Sequence, residues 1–249
     1  MAFPNTISGM YGWEKVQTSE QKHKLGTEMV FVDGRKFRYI ENGGSAITEG
    51  LLVASEAPAG NHDEDLAVAT TAAGSTTVAV TLGGTEAAKN LYAEGYLFIN
   101  VPILATSANP HEMYKIKSHA YVASAGVLTA TLDEPDGLVT ALTNGTETVG
   151  LIKSPYKDIV VAPAAVAGRF VGVTTRSLTA DYFGWIQVAG IATVAMDGTP
   201  AFGTLVGASS NHAGQFLAIG ADTTPAIARV HGKAGVDNEY HTVFLMNLY

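Results

Sequence analysis

The sequence predicts an all-β protein made of two to three small antiparallel barrel or sandwich domains, with an extended N-terminal arm. Two observations lead to this prediction. Short segments rich in Val, Thr, Ile and aromatic residues alternate with period two along most of the 249 residues. Glycine-containing turn signals separate these segments, whereas helical periodicity is scarce. A fold dominated by antiparallel strands follows.

The clearest turn signals are Asp-Gly and Asn-Gly dipeptides, which favour the left-handed conformations of a type I′ hairpin turn. Asp33-Gly34 lies in the middle of residues 29–40 and predicts a hairpin there. Similar dipeptides, each beside residues that favour strands, occur at 42–43, 136–137, 144–145 and 197–198. Their repetition predicts antiparallel meanders.

Polar stretches divide the strand-rich part of the chain into domains. Residues 57–65 precede a group of strand-like segments, and residues 156–158 follow it. We therefore expect a middle β-domain at 67–158. Residues 29–66 and 159–249 then form the remaining barrel or sandwich domain or domains.

The first 28 residues differ from the rest because they are polar and have no clean period. Their isolated aromatic residues include Tyr11 and Trp13. This composition is typical of an extended arm, so we assign residues 1–28 to one.

Composition also limits the partners. The net charge of -8 repels phosphate backbones and anionic lipid headgroups, so we expect neither a nucleic acid nor a membrane partner. No apolar run approaches the roughly 18–20 residues of a membrane span, and the first residues do not resemble a signal peptide. Charged residues make up only 15% of the chain, against roughly 25% in an ordinary globular protein. Much of the surface is therefore expected to be neutral or covered by partners.

Motifs for catalysis or cofactor binding are missing from the sequence. The chain has no cysteine, and its seven histidines form neither HExxH nor His-x-His. The Gly-x-Ser-x-Gly nucleophile motif and phosphate-binding glycine loops are also missing. We therefore predict no enzymatic activity, no metal and no cofactor, although a triad assembled from distant positions stays open.

Two weak site signals have alternative explanations. His62-Asp63-Glu64-Asp65 could hold a cation, but it lacks the spacing of a calcium loop, and a solvated acidic loop is the preferred interpretation. Asn144-Gly145-Thr146 matches a glycosylation acceptor, and without a secretory signal it is interpreted as a hairpin turn.

The strand predicted at residues 183–188 carries an aromatic residue that two interpretations explain. Trp185 and Gln187 share one face of this strand, and Ile186 and Val188 share the other. Trp185 and Gln187 either pack in the core or contact a partner, since aromatic residues dominate both environments.

A series of short segments occurs in a fixed order through residues 29–247: DGRKFRY at 33–39, GLLV at 50–53, NLYAEGY at 90–96, YKIK at 114–117, DEP at 133–135, PY at 155–156, VGV at 171–173 and YFGWIQV at 182–188. In this ordered series the chain resembles the head decoration, or cement, proteins of tailed bacteriophages, particularly those of marine and cyanobacterial phages. The resemblance implies β-rich protomers, homotrimers in many cases, that are assembled in the host cytoplasm and sit on the outer surface of the capsid. It implies no catalytic residues.

The expected function is that of a virion structural protein that binds the outer surface of the major capsid protein lattice and stabilises the capsid. The arm would dock across capsid subunits while the β-domains form a trimer. The candidate contact residues are Tyr11, Trp13, Tyr182, Trp185 and Gln187. A tail or fibre component that binds a host surface glycan, and a hydrolase on a β-scaffold, are the alternatives.

Overall fold

The computed structural model describes residues 6–100, 112–164, 169–220, 225–232, 236–246 and 248. In this part of the chain it contains seventeen strands and one 3-10 turn, which confirms the all-β prediction. The 3-10 turn spans Trp13–Lys15. No helix among the described residues is long and apolar enough to cross a membrane. The strands are β1 (Thr6–Ser8), β2 (Glu28–Val30), β3 (Lys36–Glu41), β4 (Leu52–Ala54), β5 (Leu66–Ala67), β6 (Thr77–Thr81), β7 (Tyr96–Asn100), β8 (Met113–Ser118), β9 (Val127–Leu132), β10 (Thr148–Ile152), β11 (Val160–Val161), β12 (Phe170–Thr174), β13 (Phe183–Asp197), β14 (Leu205–Ala208), β15 (Phe216–Ala218), β16 (Ala228–Val230) and β17 (Tyr240–Leu245).

The chain forms two compact units. One combines Met1–Glu56 with Pro155–Tyr249 and is called the split unit, and the other is Ala57–Ser154, called the inserted unit. The inserted unit thus starts at residue 57, where the sequence predicts a middle domain from 67, and ends at 154, where the prediction is 158. The start is earlier because the polar stretch at 57–65 folds with the inserted unit, where the side chain of His62 is fully buried.

The inserted unit is a closed six-stranded antiparallel barrel. Its strands follow the order β5-β10-β7-β8-β9-β6. An antiparallel bridge between Val68 and Val80 joins the two ends, and the Ala69 N–H donates to the Ala79 carbonyl at 2.9 Å. Closure satisfies both edges of the sheet and turns alternate side chains inward. The buried residues include Val78, Val80, Leu97, Ile116, Leu128, Leu142, Val149 and Leu151.

The split unit is built around β13, whose 15 residues take part in two closed circuits of strands. The first barrel has the order β3-β13-β12-β4-β11 and closes through a parallel bridge between Asn42 and Ile159. The second barrel has the order β13-β15-β14-β16-β17 and closes through the pairing of β17 with β13. The first barrel buries Ile40, Ile47, Val53, Ile159, Val171, Leu178 and Ile186. The core of the second includes Val194, Met196, Val206, Phe216, Ala228, Val243 and Leu245.

A bulge and a glycine mark the point where β13 passes from one barrel to the other. Pairing with β3 ends at Ala189, after a register shift, and pairing with β17 starts at Gly190. Gly190 has a φ of 87°, in the left-handed region that favours glycine. A Cβ atom at this position would also lie 3.1 Å from the Cα atom of Arg35. Gly190 therefore allows both the turn of the strand and the close approach of the β2–β3 hairpin.

Candidate interaction surface

The N-terminal arm, from residue 6 onwards, lies along the split unit. β1 pairs in parallel with β2, and the Gly9 N–H donates to the Val30 carbonyl at 2.9 Å. Further on, Thr18 and Phe183 form an antiparallel bridge at the start of β13. The segment is extended, but it is attached to its own unit at both of these points. Residues 1–5 of the predicted arm lie outside the described residues.

The aromatic side chains of the arm point outward from a fixed turn. Tyr11 is 64% exposed and Trp13 is 43% exposed. The Glu14 carboxylate accepts from the Gly12 N–H at 2.6 Å, and the Glu14 carbonyl accepts from the Thr175 hydroxyl at 3.0 Å. These bonds hold the turn on the unit, so two large aromatic groups are presented to solvent by an anchored backbone.

Arg35, at the end of the predicted hairpin turn, organises the aromatic rings below the arm. Its guanidinium carbon lies 5.0 Å from the centroid of Phe31 and 5.6 Å from those of Tyr11 and Phe37. Its Nε atom donates to Asp33 at 2.8 Å. Cation–π attraction at this range stabilises the contact between Tyr11 and the hairpin.

Trp185 belongs to a buried aromatic cluster and not to the surface. Its side chain is 6% exposed, and its ring centroid lies 5.0 Å from that of Tyr39 and 5.4 Å from that of His23. The prediction that Trp185 contacts a partner is therefore wrong for this fold, because its own unit covers the ring. The core-packing interpretation applies instead.

Gln187 is also buried, and its side-chain amide serves the bulge of β13. Its Nε2 atom donates to the carbonyl of Ala189 at 3.0 Å and to that of Ile191 at 2.8 Å. Because the Gln187 side chain is buried and hydrogen-bonded within its own unit, it is not exposed to a partner. The predicted contact role of Gln187 is therefore wrong for this fold as well. Tyr182 is half-buried, with its carbonyl accepting from the Asn42 N–H at 2.8 Å, and its contact role stays a prediction.

An exposed row of mainly apolar side chains crosses the outside of the second barrel. Ile191 of β13 is paired with Phe244 of β17, and the two are 48% and 50% exposed. Phe244 is paired in turn with Arg229 of β16, and Arg229 with Leu205 of β14. We call Ile191, Phe244, Arg229 and Leu205 the outer row. Only the pairing registers bring these four residues into one line across four strands.

A cleft of about 1320 Å³ opens beside the outer row, entirely within the split unit. The arm, the β2–β3 hairpin, the ends of β12 and β17 and the middle of β13 form its walls. Its lining includes Tyr11, Arg35, Gly50, Thr175, Ile191 and Phe244. Exposed aromatic groups and strand backbone therefore meet in one concave surface, as binding sites commonly require.

The inserted unit contains a buried polar centre around Tyr92. The Tyr92 hydroxyl and the Nδ1 atom of His62 lie 2.5 Å apart, and the Nε2 atom of His62 lies 2.9 Å from the Thr85 carbonyl. The Tyr92 N–H donates to the Nε2 atom of His119 at 3.0 Å. Burial raises the pKa of Tyr92, so its hydroxyl keeps its proton and can donate to His62.

The interpretation of residues 62–65 as a solvated loop is thus wrong for His62, whose ring nitrogens both have partners inside the unit. Asp65, in contrast, is exposed and accepts from the Asn100 amide at 3.1 Å. Among the residues that the structure describes, no group of three or more His, Cys, Asp or Glu side chains is placed to hold a metal ion.

Asp197 ends β13 and holds the loop between β14 and β15. Its Oδ2 atom accepts from the Ser209 hydroxyl at 2.6 Å and from the Asn211 amide at 3.0 Å, and it lies 3.4 Å from the Nδ1 atom of His212. The bond from Ser209, followed by those from Asn211 and His212, lowers the pKa of Asp197. The carboxylate form therefore stabilises the folded unit.

Asp197→Asn is expected to lower the free energy of unfolding of the split unit by about 1–3 kcal/mol at neutral pH. Because the folded-state pKa lies below the unfolded value of about 3.9, the carboxylate stabilises at higher pH and its contribution is lost as the pH falls through the folded-state pKa. Urea denaturation of the wild type and of Asp197→Asn, at about pH 7 and about pH 3, measures the difference in their free energies of unfolding. This difference should be smaller at about pH 3. Asp181→Asn, at an exposed position of the same unit, is the control. A loss that is equal at both pH values would contradict the role of the charge.

Comparison with known proteins gives no relative for this chain. No protein-family model matches it, and no significant similarity was found to a curated protein or to a solved structure.

Proposed function

We propose that this chain is a virion structural protein that decorates a phage capsid and stabilises it by binding the outer surface of the major capsid protein lattice. The observation that supports the proposal most directly is the combination, on the split unit, of exposed arm aromatics with the outer row and its cleft. The proposal assigns no catalytic residue and no cofactor.

The exposed groups on the split unit are those that protein interfaces favour. Tyr and Trp are enriched among the residues that dominate binding energy, and Tyr11 and Trp13 are both presented on an anchored turn. Phe244 and Ile191 add apolar area that would leave water on binding. With only 15% charged residues in the chain, the desolvation cost of covering such a surface is low.

A symmetric lattice increases the effect of a modest interface. When several copies are linked, each further binding event is intramolecular and takes place at high effective concentration. A homotrimer that bridges neighbouring capsid subunits would gain in this way. The net charge of -8 is compatible with the outside of the shell, since the packaged genome lies on the other side.

Replacing Tyr11 and Trp13 together with Ala should weaken capsid binding about thirtyfold to a thousandfold, since interface aromatics of this kind each contribute about 1–2 kcal/mol. The assay is cosedimentation of purified protein with undecorated capsids, with bound copies counted at increasing protein concentration. Tyr121→Ala replaces a tyrosine of similar exposure on the inserted unit and serves as the matched control.

Three outcomes of this assay are informative. If the wild type binds with a stoichiometry that matches three-fold sites and only the arm variant is weakened, the proposal is supported. If the arm variant binds normally, the arm is not the contact. If the wild type does not sediment with capsids at all, the decoration function is rejected.

A tail or fibre component that binds a host glycan is the second candidate. It is favoured by Tyr11, Tyr240 and Phe244, which line the cleft and could stack on sugar rings. Binding of the purified protein to immobilised host surface glycans, without binding to capsids, would favour this function over decoration.

A further inference from the structure

The middle of β13 has a neighbouring strand on one edge only. β12 pairs with β13 up to Gln187, and β15 pairs with it from Met196 onwards. Between these points, residues 190–195 of β13 are paired with β17 alone. Among the described residues no strand pairs with the opposite edge there, and this edge faces the cleft.

Two hydrogen bonds show in which direction the backbone groups of this stretch point. The Met196 N–H donates to the Glu239 carbonyl on the β17 side, at 3.0 Å, and the Ala195 N–H donates to the Gly50 carbonyl on the other side, at 2.8 Å. Since backbone groups alternate along a strand, the N–H groups of Ile191 and Thr193 point the same way as that of Ala195. The Ile191 carbonyl accepts a hydrogen bond from the side-chain amide of Gln187. The N–H groups of Ile191 and Thr193 and the carbonyl of Thr193 are left to bind a ligand.

The open edge is bounded at each end. At one end the Gly50 carbonyl accepts from Ala195, and the Tyr240 ring lies so close to Gly50 that an added Cβ atom would be 2.5 Å from it. At the other end Arg35 packs against Gly190. Four residues of strand, about 13 Å in length, are open between these limits.

We propose that this cleft binds an extended segment of a partner polypeptide, which adds as a strand to β13 at residues 191–193. The inference rests on the proposed function, under which the segment belongs to the major capsid protein. A row of N–H and C=O groups at strand spacing is what an extended peptide recognises, and pockets beside it select the side chains.

The charges around the cleft indicate a mainly uncharged segment. Asp33 is paired with Arg35, and the Glu14 carboxylate accepts from the Gly12 N–H. The two remaining charged residues of the lining, Lys15 and Glu49, are of opposite sign. Ile191, whose side chain is 48% exposed, then offers an apolar contact to side chains of the added strand. A segment with apolar residues at every second position fits this surface best.

The test uses the full chain and a set of overlapping synthetic dodecapeptides that cover the major capsid protein. One peptide, or two that overlap, should bind and shift the amide resonances of Ile191 and Thr193 in NMR spectra. Thr193→Pro removes the N–H that faces the cleft and spares the ladder to β17, so the unit should still fold. This variant should bind the peptide about tenfold more weakly, as expected for one lost hydrogen bond together with the bulk of the ring.

Thr193→Ala is the matched control, because it changes the side chain and keeps the N–H, and it should bind within about twofold of the wild type. If Thr193→Pro does not fold, the resonance shifts of the wild type decide the question alone. If whole capsids bind and no peptide does, this inference is overturned while the decoration function stands. If maltoheptaose shifts the two resonances and no peptide does, the cleft is a sugar site and the inference is also overturned.

Discussion

Phe216→Ala should lower the free energy of unfolding of the split unit by about 3–5 kcal/mol, the loss expected when a fully buried aromatic side chain is truncated. Phe216 has no exposed surface and lies in the core of the second barrel with Met196, Val206 and Val243. A barrel whose strands pair around a closed circuit has little freedom to collapse around a missing ring. Most of the cavity would therefore persist.

The measurement can be restricted to one unit. Both tryptophans of the chain, Trp13 and Trp185, lie in the split unit, so tryptophan fluorescence during urea denaturation reports on that unit alone. Phe244→Ala is the matched control, because Phe244 is 50% exposed on the outside of the same barrel. It should cost less than about 1 kcal/mol. Equal losses in the two variants would contradict the assignment of Phe216 to the core.

Gly95→Ala should destabilise the inserted unit by about 1–3 kcal/mol or more, because the added methyl group overlaps the backbone. A Cβ atom at Gly95 would lie 2.2 Å from the Ile152 carbonyl oxygen and 3.0 Å from the backbone of Lys153 and Ser154. These atoms cannot rotate away as a side chain could. The ladder between β7 and β10 must shift to make room.

Gly84→Ala is the control for this substitution. A Cβ atom at Gly84 meets nothing within 4 Å, and Gly84 is not among the glycines with positive φ. The change should be neutral or stabilise the unit by up to about 1 kcal/mol through a less flexible unfolded chain. Thermal unfolding followed by far-UV circular dichroism compares the two variants. A Gly95→Ala protein as stable as Gly84→Ala would show that the β7–β10 contact is looser than described.

Local sequence was sufficient to predict many of the strands and the β2–β3 hairpin. Asp33-Gly34 lies in that hairpin, and Gly34 has a φ of 86°, in the left-handed region that favours glycine. Asp33 is not among the residues with a positive φ, so the hairpin is where the dipeptide predicts it but the turn is not of type I′. Among the strand-like segments predicted between residues 57–65 and 156–158, β6 and β9 alternate between buried and exposed residues. Period-two alternation is a local property, so it can be read without knowledge of the partner strand.

The candidate site was predicted less well, and the reason lies in long-range pairing. Tyr11 and Trp13 are exposed, as a contact role requires, whereas Trp185 and Gln187 are buried. Alternation along residues 183–188 shows which side chains share a face, but this strand is covered on both faces, so the pattern could not separate core from surface. The outer row was missed because its members come from four strands that are distant in sequence.

The sequence by itself therefore determined the all-β class, the sites of the main turns and the interruption of one β-rich region by another, because these depend on propensity and alternation within a few residues. Only the tertiary structure decided how the strands close into barrels, that β13 serves two of them and that its edge at residues 191–193 is open to a cleft. Those features depend on the register between distant strands. Register follows from the packing of whole faces against one another, which no short segment specifies alone.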